Sequence, residues 1–281
     1  LGEQMLQVEN IHFQYGSVPI IEGVSFEVQK GKLCALFGPN GCGKTTLFKC
    51  CLRFLACNKG TIRMNGLDLS TIPIRKLAQL VSYVPQEHKP PFPYLVKEVV
   101  LMGRTPHLGG IFKIRKTDRE KVIEAMHMVG ITHLADLPYN QLSGGQRQMV
   151  LMARAIAQDT LLLFLDEPTS ALDFSNQIRI WKIMRRIVQS GKTILACTHD
   201  PNHVLWFSDQ VIVMNNRGIV AEGLPHDVMN EPTLDRIYSG LCSVQRMNRI
   251  QMVVPSDITE SLDTIPPLFP SHTRKEMAKI V

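Results

Sequence analysis

Residues 38–45 read Gly-Pro-Asn-Gly-Cys-Gly-Lys-Thr, which fits the pattern G-x-x-x-x-G-K-[ST]. Glycines at 38, 41 and 43 let a backbone wrap closely round an anion, so that successive N–H groups form a nest. A helix beginning near Lys44 adds its positive end. Lys44 is placed to reach the β- and γ-phosphates of a nucleotide, and the Thr45 hydroxyl to bind Mg²⁺. Further along, LLLFLDE presents two adjacent carboxylates. Asp166, at the end of an apolar run, suits holding Mg²⁺ directly or through its water. Glu167 reaches one residue further and can act on an attacking water as base or orienting group. His199 ends a third apolar run, where it can contact the γ-phosphate and help position that water.

These groups need strands behind them. Lys32–Phe37, Leu161–Leu165 and Thr193–Cys197 are nearly continuous in apolar residues, as expected for parallel strands covered on both faces. In open parallel sheets ligands bind outside the carboxyl ends of the strands. GPNGCGKTT, Asp166-Glu167 and Thr198-His199-Asp200 are therefore expected to converge on one crevice. Ahead of this core, Met5 to about Lys30 alternates in short stretches (LQVENIHFQYG, then GVSFEV), which predicts antiparallel strands and turns. From Glu87 to about Gln141 a Pro-rich opening leads into helical sequence, with a capping-box pattern at Thr117-Asp118-Arg119-Glu120 and Gly130 as its stop. QVIVMNN and IVAEG flank Arg217-Gly218 as a hairpin. Beyond Pro255 the chain carries Pro266, Pro267 and Pro270 with little periodicity, the composition of a small appendage or a partly disordered tail.

The 281 residues allow one large domain or two modest ones, and 44% hydrophobic with 20% charged residues is ordinary for a folded chain. No apolar run is long enough to cross a bilayer, and no signal-peptide pattern opens the chain, so a cytoplasmic location is expected. The chain starts with Leu1, as a trimmed or tagged end would. The net charge of +6 comes from scattered Lys and Arg without a dense basic block, so no nucleic-acid partner is expected. Seven cysteines, none in a CxxC pair, argue against a disulfide framework. Cys34, Cys50, Cys51 and Cys197 lie in apolar stretches and read as small buried residues.

Leu142-Ser143-Gly144-Gly145-Gln146 precedes QRQMVLMARAIAQ, an amphipathic helix whose start offers backbone donors and a hydroxyl to an anion. The pentapeptide resembles the signature of the ABC ATPases, and the other motifs stand in that family's order over about residues 5–240. The resemblance implies an α/β, P-loop NTPase (RecA-like) core with an antiparallel β subdomain and an α-helical insert at about 87–158, and residues 241–281 as an extension. It implies ATP and Mg²⁺ as cofactors. Gly38, Pro39, Asn40, Gly41, Cys42, Gly43, Lys44, Thr45 and Thr46 match the phosphate loop, and Tyr15 in FQYG matches the aromatic that stacks on adenine. Gln86 in YVPQ matches a glutamine contacting Mg²⁺ and the attacking water. Ser170-Ala171-Leu172-Asp173 resembles the loop that crosses a dimer interface. Ser143, Gly144, Gly145 and Gln146 would serve the ATP held by the opposite copy of a homodimer.

Pro90–Gly110 resembles the metal-chelate importer branch: siderophore, haem and cobalamin systems, with molybdate-type relatives. Leu95 stands where that pattern leads to threonine, and Phe92 and Tyr94 suit a partner surface. The branch implies integral-membrane permease subunits, an external substrate-binding protein, and a peripheral place on the cytoplasmic face of the membrane. The alternatives weighed are a molybdate or tungstate importer, an exporter, a non-transport ABC ATPase and a P-loop kinase. The kinase would not need LSGGQ, and no long heptad stretch of the DNA-repair type is present. Cys42 occupies a position where serine is frequent; beside Lys44 and a helix start, its thiol is expected to have a lowered pKa and to be alkylated readily unless ATP protects it.

Overall fold

The computed structural model describes residues 3–86, 93–109, 113–170, 172–248 and 250–256. Two long strands, β1 (Gln4–Tyr15) and β2 (Val18–Gln29), pair antiparallel, and their inward residues, among them Leu6, Val8, Val24 and Val28, are buried. β3 (Leu33–Phe37) is buried at every position and leads through the glycine loop into α1 (Lys44–Cys51). β4 (Lys59–Met64) and the two-residue β5 (Leu67–Asp68) return to β1, which completes a four-stranded antiparallel sheet in the order β2-β1-β4-β5.

α2 (Ile74–Leu80) then feeds β6 (Val81–Val84), a parallel strand that the sequence did not announce, because four residues of mixed polarity carry little periodic signal. The helical insert follows as α3 (Val96–Leu101), α4 (Lys116–Val129) and α5 (Gly144–Ala157). The core resumes with β7 (Leu162–Leu165), α6 (Phe174–Gln189), β8 (Thr193–Thr198) and α7 (Pro201–Phe207). The hairpin β9 (Gln210–Asn215) and β10 (Gly218–Gly223), the short α8 (Pro225–Val228) and α9 (Glu231–Tyr238) complete it. The main sheet has six strands in the order β10-β9-β3-β8-β7-β6. Neighbours are parallel except the edge pair β9–β10.

Helices cover this sheet because their apolar positions recur at helical spacing. α6 buries Ile180, Ile183, Met184 and Ile187 on one stripe, together with Trp181 and Val188. α5 is buried nearly all round from Gln148 to Ala157, as suits the helix that joins the insert to the core. A second apolar layer, including Phe26, Leu36, Phe48 and Phe164, fills the space between the two sheets, where Phe48 and Phe164 meet edge-on at 5.0 Å.

The helix start expected at Thr117-Asp118-Arg119-Glu120 is corrected. α4 begins at Lys116, and Asp118 is its third residue, accepting from the Arg115 N–H at 3.0 Å. A buried ion pair from Arg104 Nε to Asp118 Oδ1, at 3.0 Å, fixes that carboxylate and so the register. Gly130 ends the helix with φ 75°, as expected.

The residues expected to form an extension open with a further hairpin, β11 (Cys242–Met247) and β12 (Ile250–Pro255). Asn202 holds it through both amide atoms, accepting from Val253 N at 2.8 Å and donating to Val253 O at 3.1 Å. Pro266, Pro267 and Pro270, Phe92, Ala171 and most of the Pro-rich stretch that opens the insert lie outside the described residues.

Candidate nucleotide site

β3, β7 and β8 end on the same side of the sheet, and the polar residues just beyond them meet. The glycines of the loop after β3 are dictated by space. A Cβ on Gly38 would lie 2.1 Å from the Met214 carbonyl oxygen of β9, a clash with backbone that cannot move aside. Gly41 and Gly43 have φ of 81° and 108°, conformations that cost other residues energy. Gly43 caps α1, so the first N–H groups of that helix face the loop.

Lys44 is buried, and its ammonium donates to the Gly38 and Pro39 carbonyls, both at 2.9 Å. It lies 3.7 Å from Glu167 Oε1. Thr45 Oγ1 donates to Asp166 Oδ1 at 3.1 Å, which ties α1 to the end of β7. Glu167 sits at φ 46°, a left-handed backbone rare for a non-glycine residue. Such strain persists only where the surroundings impose it. Its Oε2 accepts from Gln86 Nε2 at 3.1 Å and stands 3.5 Å from His199 Nδ1. Thus Lys44, Thr45, Gln86, Asp166, Glu167 and His199 form one connected cluster, although they come from four separate segments.

Tyr83 joins this cluster, a residue that sequence reasoning passed over. Its hydroxyl donates to Asp166 Oδ2 at 3.2 Å. Only the recognition of β6 as a core strand would have signalled it, through its place three residues before Gln86. Burial pushes the Asp166 carboxyl above the ordinary range, against the hydrogen bonds from Thr45 and Tyr83.

The expectation for Cys42 is overturned. The side chain is buried, and burial pushes its thiol up; the charge of Lys44 pulls the other way and is outweighed. Alkylation of Cys42 by N-ethylmaleimide is accordingly expected to run more slowly in the native chain than in the urea-unfolded one. Equal rates, read by peptide mass spectrometry, would count against the burial. Cys34, Cys50, Cys51 and Cys197 are buried free thiols, as the sequence implies.

Of the remaining site residues, Tyr15, Ser143, Gln146 and Asp173 have their side-chain contacts elsewhere. Tyr15 is exposed at the end of β1, edge-on to Phe13 at 4.8 Å, in the same hairpin whose Ile20 carbonyl abuts Gly43. Pro39 and Asn40 lie in the loop itself, Pro39 with its carbonyl on Lys44, and Thr46 is in the first turn of α1. Ser143 caps α5: its Oγ accepts from Gln146 N at 3.3 Å while its own N–H donates to Gln146 Oε1 at 2.9 Å. With Gly144 and Gly145 it opens the insert's last helix, and its bonds stay within that turn. Asp173 caps α6, accepting from Asn176 N and Nδ2, both at 2.8 Å; these bonds hold its carboxyl below the usual range. Ser170 Oγ donates to the Glu167 carbonyl at 3.1 Å, so this loop is tied directly to the strained glutamate.

Known proteins resemble the chain over most of its length. The ABC transporter family profile matches residues 21–170. The chain is 35% identical over 234 residues to the iron(3+)-hydroxamate import ATP-binding protein FhuC of Bacillus subtilis, spanning 83% of this chain and 87% of that one. It is 34% identical over 240 residues to the ferric enterobactin transport ATP-binding protein FepC of Escherichia coli, spanning 85% and 89% respectively. The hemin import ATP-binding protein HmuV of Streptomyces coelicolor shares 34% over 237 residues, 84% of each chain. Among solved structures, a chain of an ABC transporter in an inward-facing conformation matches with a TM-score of 0.80 and 31% identity, over 90% of this chain and 97% of that one. With the family profile over residues 21–170 and relatives at 34–35% identity over more than four-fifths of its length, the chain belongs to the ABC transporter family as an ATP-binding, ATP-hydrolysing subunit.

Proposed function

We propose that this subunit drives the uptake of a metal chelate, such as an iron-siderophore, haem or cobalamin, through a membrane permease. The observation that carries the reading is 34–35% identity, over more than four-fifths of the chain, to subunits named for hydroxamate, enterobactin and hemin. In this reading an external binding protein delivers the chelate, and the subunit works peripherally on the cytoplasmic face. Among the described residues no helix is long and apolar enough to cross a membrane.

The site supports hydrolysis by positioning and charge more than by covalent chemistry. Thr45 Oγ1 and Asp166 Oδ1, 3.1 Å apart at the mouth of the loop, are hard oxygen donors that would hold Mg²⁺, with Gln86, bonded to Glu167 through its Nε2, beside them. When bound, Mg²⁺ supplies charge neutralisation at the β- and γ-phosphates. Lys44 turns from the Gly38 and Pro39 carbonyls toward those phosphates, and the loop N–H groups cradle them. Glu167 accepts a hydrogen bond from the attacking water and draws its proton, while Gln86 and His199 hold Glu167 and that water in line. Tyr15 stacks on adenine.

Ser143, Gly144, Gly145 and Gln146 lie on the insert at the start of α5, where the first N–H groups of the helix have no partner within it, so in this reading they serve a second copy of the chain. Head-to-tail pairing sets them, with Asp173, against the partner's phosphate loop, and each ATP is held by two chains. ATP binding closes the pair and hydrolysis lets it part.

The permease contact is assigned to a groove of about 560 Å³ between core and insert, lined by Leu52, Phe54, Ile74, Tyr83, Met102 and Pro106. Phe54 and Ile74 are 62% and 61% exposed, unusual for large apolar side chains and apt for a partner helix. Tyr83 joins this groove to Asp166, a direct link between permease and nucleotide. The test is co-expression with the permease and binding protein encoded beside this subunit, followed by ATPase assays in proteoliposomes. Stimulation by the ferric-chelate-loaded binding protein is expected. Stimulation by a molybdate-loaded one alone, or sedimentation with ribosomes instead of membranes, would overturn the reading.

A further inference from the structure

Two thiols that no step above uses border one cavity, which adjoins the groove between core and insert at Arg53. α1 ends at Cys51, and the chain at once doubles back: the N–H groups of Phe54 and Leu55 both donate to the Lys49 carbonyl, at 2.8 and 3.1 Å. Arg53 adopts a left-handed backbone (φ 58°) to make the reversal, and its guanidinium is held by the Leu69 and Ile72 carbonyls. The reversal brings Cys57 against the core layer that contains Cys50. Both line one cavity of about 400 Å³, together with Ile11, Arg53, Leu55 and Asp68, which gives a small reagent access to the pair.

The two sulfurs are chemically unequal. Cys50 is buried, and the neighbouring Cys57 sulfur and burial push its thiol up. Cys57 is half-buried and reaches the cavity, and the neighbouring Cys50 sulfur holds its thiol below the ordinary range. A sulfur that meets solvent, on one cavity with a buried second sulfur able to resolve it, is the arrangement that responds to peroxide. Cys51 is fully buried and pushed up by that burial, so it is the poorer reactant although adjacent in sequence.

We propose that Cys50 and Cys57 are a reversible redox pair, converted by a small peroxide to an intrachain disulfide that closes a ring over residues 50–57. In the first step the Cys57 sulfur attacks one peroxide oxygen and the O–O bond breaks. Cys57 becomes a sulfenic acid, and the other oxygen leaves as water after taking the thiol proton. In the second step the Cys50 sulfur displaces the sulfenic hydroxyl; the S–S bond forms, the S–O bond breaks, and the Cys50 proton leaves in a second water. The two thiols together lose two electrons, and the peroxide gains them. A small dithiol reverses the change by exchange. The ring encloses Leu52, Arg53 and Phe54, which line the groove between core and insert, so oxidation stiffens that wall. The effect on docking rests on the permease reading above; the disulfide does not.

The full-length chain, without permease, is treated with hydrogen peroxide, blocked with N-ethylmaleimide and digested with trypsin. Cleavage after Lys49, Arg53 and Lys59 separates residues 50–53 from 54–59, so the disulfide appears as two linked peptides. The linked pair is expected in the parent and in Cys51→Ala, lost in Cys57→Ser, and reversed by dithiothreitol. Circular dichroism of each variant verifies folding. A linked pair that survives Cys57→Ser or vanishes in Cys51→Ala overturns the assignment, as does oxidation of Cys57 to sulfinate with no linked pair. None of these outcomes bears on import, which the proteoliposome assay reads separately.

Discussion

Glu167→Gln is expected to bind ATP as the parent does, to hydrolyse it ~10²–10⁴-fold more slowly, the range for loss of a general base, and to accumulate as an ATP-bound dimer. The amide keeps the shape of the side chain and one acceptor oxygen but cannot draw the proton from water. Its neighbours tolerate the change unequally. Gln86 Nε2, at 3.1 Å, can still donate to the amide oxygen, while Lys44, at 3.7 Å, loses an anionic partner. That loss frees Lys44 for phosphate, so affinity should not fall. Single-turnover kinetics and size-exclusion chromatography in ATP read both effects. Turnover at the parent rate, or a monomer at saturating ATP, would remove Glu167 from the role given to it. The strained φ of 46° sharpens the test, since the substitution alters the functional group and leaves the backbone demand unchanged.

Lys44→Ala is the second large effect, and it falls on binding. Charge-assisted hydrogen bonds contribute roughly 1.5–3 kcal/mol each, so losing the ammonium should weaken ATP binding by ~10–100-fold. Lys44 is buried and bridges the Gly38 and Pro39 carbonyls, so its removal also loosens the loop. A thermal melt without nucleotide separates the two consequences. A modest drop in melting temperature with a large drop in ATP affinity is the expected pair; unchanged affinity in a folded variant would deny Lys44 its place in the cradle. The two variants are distinguishable because Glu167→Gln retains nucleotide and stalls, whereas Lys44→Ala fails to capture it.

The cysteines show where local sequence logic misleads. Cys42 lies beside a lysine and a helix start, both of which favour a thiolate, yet burial dominates and raises its thiol. Cys57 has a lysine at the same spacing, Lys59, yet it is the sulfur of Cys50 that lowers its thiol. Sequence distance predicts neither outcome, because desolvation and a thiol partner are properties of packing. Asp118 teaches the same lesson for helix starts: its spacing fits a capping box led by Thr117, but the buried Arg104 claims the carboxylate and starts the helix at Lys116.

The primary structure by itself determined the chemistry available and the architecture that presents it. Three apolar runs, each followed by a polar cluster, specify parallel strands with a shared ligand edge, because the backbone of a strand covered on both faces admits almost nothing else. The glycines around Lys44 were legible for the same kind of reason, since a loop that wraps an anion excludes side chains. What only the tertiary structure decided is which distant groups touch. β6 slots beside β7, and this alone brings Tyr83 to Asp166 and Gln86 to Glu167. The hairpin β11–β12, whose residues alternate weakly, is held by two bonds from Asn202, a partner some fifty residues earlier that no local pattern announces. Periodicity is written into neighbouring residues and survives in the one-dimensional text; contact between segments, and the desolvation that comes with it, exists only once the chain has closed on itself.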